Sequence, residues 1–168
     1  MKINIIRGIL ILLLAGTFCL IFGFSNQNSK ESSKISKSVS EAIVNITRKN
    51  ESTNEKNKIV KLIEPRIRKL AHFSIYTLVG FLLMCLCFTY KISVNKKIII
   101  SLILGFIYAC SDEIHQTFVM GRSGEARDVL IDTSGIFIGI LISLCASYLY
   151  KKKLAKKDGK EISTNIEF

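Results

Sequence analysis

The sequence predicts an all-α membrane protein, a bundle of four transmembrane helices with amphipathic surface helices in its first loop. Apolar residues make up 49% of the 168 residues, and they occur in blocks of about 20, the length that crosses a bilayer's hydrocarbon core. The blocks lack the alternation of barrel strands, so only helices can satisfy their backbone groups in lipid. A soluble enzyme, a disordered chain and a disulfide scaffold are disfavoured.

The apolar blocks predict spans at about residues 5–24, 71–90, 98–118 and 129–150 of a single domain that covers residues 1–168. The first block could also belong to a signal peptide. However, no small-residue cleavage site follows it, and the run is long for such a peptide, so an uncleaved span is favoured. All five cysteines lie inside the spans, where we interpret them as packing residues.

The polar segments predict surface structure outside the spans. In the loop 25–69, apolar residues recur at helical spacing over 35–46 and again over 59–67, which indicates two short amphipathic helices on the membrane surface. Pro65 is expected to start the helix of the second span or to separate it from the preceding one. The tail 151–168 carries six lysines and is expected to be solvated.

The distribution of cations predicts the orientation in the cell membrane. With four spans, 11 cations lie on the side of the two termini and 13 on the other side, so the count alone does not decide. The 11 lie in short segments directly against helix ends, which favours cytoplasmic termini and an external 25–69 loop. The net charge of +11 is explained by anionic lipid headgroups rather than by nucleic acid.

Ionisable residues of the second, third and fourth spans, together with the polar Ser25, Asn26 and Gln27 at the end of the first, are predicted to meet at one face of the membrane. Residues at helical spacing form one stripe along each of the second, third and fourth spans. Each stripe has small residues in one half and ionisable residues in the other. Charges at this depth are costly unless they are paired, so the stripes predict a shared polar pocket, although each charge could instead only cap or end a helix. The predicted pocket residues are Lys69, His72, Tyr76, Asp112, Glu113, His115, Gln116, Arg122, Asp128 and Asp132.

Glycines in the same stripes predict close helix packing, at Gly80, Gly105, Gly135 and Gly139. No metal-binding spacing such as HExxH occurs. Two histidines among four carboxylates leave metal binding open as the minor alternative, but the sequence predicts neither a metal nor a cofactor.

The motifs at these positions resemble the VanZ-like family of small bacterial membrane proteins. They are RKLAHF at 68–73, SDEIHQ at 111–116, GRSG at 121–124 followed by DVLIDT at 128–133, and the weaker FSNQ at 24–27. Two positions depart from the family pattern: Ile75 replaces a glutamate and Met120 replaces a proline. The resemblance implies a multi-spanning protein linked to teicoplanin resistance, with no established reaction. The ten predicted pocket residues match motif positions of the family, but the resemblance assigns no role to any of them.

The sequence is compatible with three different functions. The first is a non-enzymatic protein whose outer pocket binds membrane lipid, a lipid-bearing glycopeptide or a cell-wall lipid intermediate. The second is a membrane hydrolase or transferase acting on a lipid-linked phosphate, with His72 or His115 as base or nucleophile. The third is a small proton-coupled transporter, which would need to form an oligomer because four helices are few for a transport path.

We expect an impermeant maleimide to report the predicted orientation in intact cells. A single cysteine in the 25–69 loop of an otherwise cysteine-free chain should be labelled, and one in the 151–168 tail should not. Labelling of the tail reporter alone would mean that the orientation is reversed.

Overall fold

The computed structural model describes residues 2–157, which form five α-helices and no strand. Four of these helices are long and apolar enough to cross a membrane, which confirms the predicted all-α membrane class. The last helix continues beyond the predicted end of the fourth span, and the part of the basic tail at 158–168 lies outside the described residues. The helices are α1 (Lys2–Ser25), α2 (Ser29–Thr47), α3 (Thr53–Phe88), α4 (Val94–Gln116) and α5 (Ala126–Lys157).

Side-chain caps fix where α2 and α3 begin. The Asn28 side chain accepts a 2.9 Å hydrogen bond from the Glu31 backbone N–H. At α3, Ser52 and Glu55 form a reciprocal capping box. Both arrangements satisfy N–H groups that a helix start leaves without partners. α2 is therefore a separate amphipathic helix, as its apolar spacing predicts.

Helix α3 runs without interruption through Pro65, so the prediction that this proline starts or separates a helix is wrong. A proline removes the hydrogen bond to the carbonyl four residues earlier, here that of Lys61. Lys61 is exposed, so solvent can satisfy its carbonyl group. The second predicted surface helix is thus the first part of α3. At 36 residues α3 is about 54 Å long, longer than the roughly 30 Å hydrocarbon core of a bilayer, and α2 packs against it.

The most extensive contact between helices joins α3 and α5. Gly135 lies against the Phe73 carbonyl group, and one turn further along both helices Gly139 lies against the Thr77 carbonyl oxygen. The two helices are therefore parallel, and their backbones approach closely because neither glycine carries a Cβ. Gly80 meets the backbone of Ile136 in the same contact.

The remaining helices pack around this pair. Gly105 of α4 meets the Ile136 side chain, so all four predicted packing glycines lie at helix contacts. Tyr108 of α4 donates a 2.9 Å hydrogen bond to the Phe18 carbonyl oxygen of α1, and the two rings stack with centroids 4.0 Å apart. At the opposite end of α1, Arg7 donates to the Thr89 carbonyl oxygen at 2.6 Å. These contacts hold α1 along the bundle.

We expect Gly139→Ala to destabilise the protein by about 1–3 kcal/mol or more, because overpacking a close contact strains it. The added Cβ would meet the Thr77 carbonyl oxygen and the Phe81 amide nitrogen. Gly16→Ala is the matched control, since no atom lies within 4 Å of its added Cβ. Thermal unfolding in detergent measures both variants. Equal unfolding temperatures for the two would contradict the close α3–α5 contact.

Candidate functional site

A polar pocket of about 110 Å³ lies at the end of the bundle where α4 ends and α5 begins. It is formed by one turn of α3, the last residue of α4, the connecting segment 117–125, the first two turns of α5 and the start of α2. The lining residues are Ser29, Arg68, Lys69, His72, Gln116, Gly121, Arg122, Ser123, Glu125, Asp128, Ile131 and Asp132. The pocket is therefore built where the predicted ionisable clusters meet.

One ion pair and one histidine–carboxylate contact connect α3 to α5 along one wall of the pocket. The Lys69 ammonium group donates a hydrogen bond to Asp128 Oδ1, and it lies 3.8 Å from Glu125 Oε2. One turn deeper, His72 Nδ1 lies 3.8 Å from Asp132 Oδ1. The parallel register of α3 and α5 produces both pairs, because each step of one turn on one helix matches one turn on the other.

Two buried carboxylates of α4 are held by hydrogen bonds. Asp112 Oδ2 accepts from the Tyr76 hydroxyl at 3.0 Å and from Gln116 Nε2 at 3.4 Å. Glu113 Oε2 accepts from the Glu125 backbone N–H at 3.0 Å, directly before α5. Its negative charge lies near the positive end of the α5 dipole, which is a favourable position.

Asp132 is the least satisfied of these groups. Only 1% of its surface is exposed, and neither carboxylate oxygen has a hydrogen-bond partner among the described residues. One ligand atom each from His72, Asp112 and Asp132 lies within 4.8 Å of the other two. These three residues are consequently the group in residues 2–157 that could hold a metal ion.

Arg122 is positioned by a tight turn in the segment between α4 and α5. Gly121 has a φ of 75°, a conformation that glycine adopts without steric cost. The Arg122 guanidinium donates to the Phe24 carbonyl oxygen at 3.2 Å, while its Nε is buried without a partner. Burial lowers the pKa of Arg122, and the neighbouring Arg68 guanidinium lowers it further, while the carboxylates of Asp112 and Glu113 act in the opposite direction. Two like charges thus lie close together at the edge of the pocket.

An apolar groove of about 230 Å³ adjoins the polar pocket. Its walls are apolar side chains of α1, α2 and α3, among them Ile21, Phe24, Ile35, Val39, Ile67 and Ile75. Arg68, His72 and Arg122 line both the groove and the polar pocket. Ile75 gives this groove an apolar wall that also contains two arginines.

The structure gathers most of the predicted pocket residues. Lys69, His72, Gln116, Arg122, Asp128 and Asp132 line the polar pocket, and Tyr76 and Asp112 lie beside it through their hydrogen bond. Glu113 lies on the side of the segment before α5 and lines a separate surface depression.

One predicted residue lies elsewhere, and one pocket residue was missed. His115 stacks on Phe22 of α1 with ring centroids 4.7 Å apart and does not line the polar pocket. Arg68 does line it, although the sequence analysis did not select it. Its position four residues before His72 on the same helix was the available signal.

Comparison with models of known protein families shows which family the chain resembles. A sequence model described as VanZ/LLP1 matches residues 10–147, which covers the pocket, the groove, all of α3 and α4, and α1 and α5 except for the start of α1 and the end of α5. No curated protein and no solved structure matches the chain.

Proposed function

The chain belongs to the VanZ/LLP1 family, and from that premise we propose that it lowers bacterial susceptibility to lipid-bearing glycopeptides of the teicoplanin type. In this proposal the pocket and groove open at the outer face of the cell membrane, with both termini in the cytoplasm. They bind an amphiphile with an anionic head group and a hydrocarbon chain.

The observation that carries the proposal is the unpaired state of Arg68 and Arg122. Lys69 is neutralised by Asp128, but neither arginine forms an ion pair with a carboxylate within residues 2–157. Arginine binds carboxylate and phosphate groups through a planar set of donors. Two neighbouring guanidinium groups, neither within ion-pair distance of a carboxylate among residues 2–157, therefore favour an anionic ligand.

The apolar groove supports the proposed binding of a hydrocarbon chain. It begins at the two arginines and continues between apolar residues of α1, α2 and α3. A ligand bound here would place its charge beside the arginines and its hydrocarbon chain against residues such as Val39 and Ile67. Each buried CH₂ group contributes about 0.8 kcal/mol, so ligands with an acyl chain should bind far better than those without one.

Such a site would act on a membrane-anchored antibiotic without a chemical reaction. The acyl chain of a lipid-bearing glycopeptide concentrates the drug at the membrane surface. Binding of the chain and of an acidic group by the protein would hold the drug away from its cell-wall target. A glycopeptide without an acyl chain would not fill the groove, so the protein should discriminate between the two drug types.

We expect expression in a susceptible Gram-positive host to raise the inhibitory concentration of teicoplanin more than that of vancomycin. Arg68→Ala and Arg122→Ala should each weaken ligand binding by about 10- to 100-fold, because a hydrogen bond to a charged group contributes roughly 1.5–3 kcal/mol. Both variants should therefore lose most of the tolerance. Parallel dilution series of the two drugs measure these effects.

The matched control for these variants is Arg66→Ala, which removes the same charge two residues away from an exposed position outside both cavities. It should retain the tolerance at an equal protein level in the membrane, as judged by immunoblot. Equal protection against both drugs, or tolerance that survives Arg68→Ala and Arg122→Ala, would refute the proposed site.

A further inference from the structure

We infer that His72, Asp112 and Asp132 bind one divalent transition-metal ion, such as Zn²⁺, beside the polar pocket. The three ligands come from α3, α4 and α5, so the ion would connect the three helices. This inference does not depend on the proposed function, since it rests on the geometry and the charge of the three side chains.

The geometry is close to that of a bound ion. The three ligand atoms lie within 4.8 Å of one another, and His72 Nδ1 is 3.8 Å from Asp132 Oδ1. Zinc binds nitrogen and oxygen ligands at about 2.0–2.2 Å, which places tetrahedral ligands roughly 3.4 Å apart. The separations between the three ligand atoms exceed this spacing by at most about 1.4 Å.

The charge of the site supports a cation. Asp132 is 1% exposed and Asp112 is 5% exposed, and an isolated carboxylate at such depth is costly. The nearest lysine is already paired with Asp128, and both oxygens of Asp132 lack a hydrogen-bond donor within the described residues. Two buried carboxylates thus face one imidazole, and a divalent ion would neutralise them.

The surroundings of Asp112 resemble the outer shell of a metal site. Tyr76 and Gln116 both donate to Oδ2 of Asp112, which orients the carboxylate and leaves Oδ1 for a metal. Hydrogen bonds of this kind fix ligand orientation in metal sites. One imidazole with two carboxylates favours zinc or a similar transition metal over magnesium, which prefers oxygen ligands alone. Water from the polar pocket would complete the coordination.

The test uses the full chain, purified in detergent without a histidine tag and stripped of metal with EDTA. Titration with Zn²⁺ should show one ion bound per chain by calorimetry. Asp132→Asn should weaken the affinity by at least about 100-fold, and Tyr76→Phe by about 10-fold, because outer-shell changes cost roughly 10- to 100-fold. Glu125→Gln is the matched control. It removes a carboxylate that also lines the polar pocket but is 52% exposed, and it should leave the affinity unchanged.

A spectroscopic measurement tests the same site if Asp132→Asn does not fold. Co²⁺ added to the stripped wild-type chain should give visible d–d absorption typical of a mixed nitrogen and oxygen site. His72→Gln should abolish that absorption. The inference is overturned if the wild-type chain binds no stoichiometric Zn²⁺, or if Glu125→Gln weakens binding as much as Asp132→Asn does.

Discussion

The close backbone contact between α3 and α5 is the constraint on which the rest of the structure depends. Gly135 and Gly139 lie against carbonyl groups of α3, and this contact fixes the register of the two parallel helices. The same register places Asp132 beside His72 and Asp128 beside Lys69. A rotation of α5 by one residue, about 100°, would turn both carboxylates away from α3. The polar pocket therefore depends on the two glycines next to it, which have no side chains to keep α5 away from α3.

The charges around the pocket divide into two groups that favour different ligands. Near the bundle axis, buried carboxylates outnumber their cationic partners, an arrangement that costs stability unless a proton or a cation compensates it. At the edge, Arg68 and Arg122 line the apolar groove, and neither forms an ion pair with a carboxylate of the described helices and loops. Charges with a purely structural role would be paired within the chain, as Lys69 and Asp128 are. This separation of charge favours ligand binding over a purely structural role.

Hydropathy and helical spacing predicted the spans, the packing glycines and the position of Asp112 and Asp132 on inward stripes, because these features depend on single helices. Contacts between helices were harder to predict. His115 faces α1 and stacks on Phe22, since it is one residue, about 100°, away from Gln116. Arg68 was missed because its place at the edge of both cavities depends on contacts between helices. Pro65 remains within α3 because solvent can satisfy the carbonyl group that it leaves without a partner. Helix propensity alone does not predict this, because it does not include solvent exposure.

The most direct test of the arginine-lined site is native mass spectrometry of the protein purified from bacterial membranes. The wild-type chain should retain a bound anionic amphiphile, and the Arg66→Ala variant should retain the same species. The double variant Arg68→Ala/Arg122→Ala should lose it, because both cationic contacts with the head group are removed. A wild-type chain without any bound anionic species, or equal retention by all three proteins, would contradict the account.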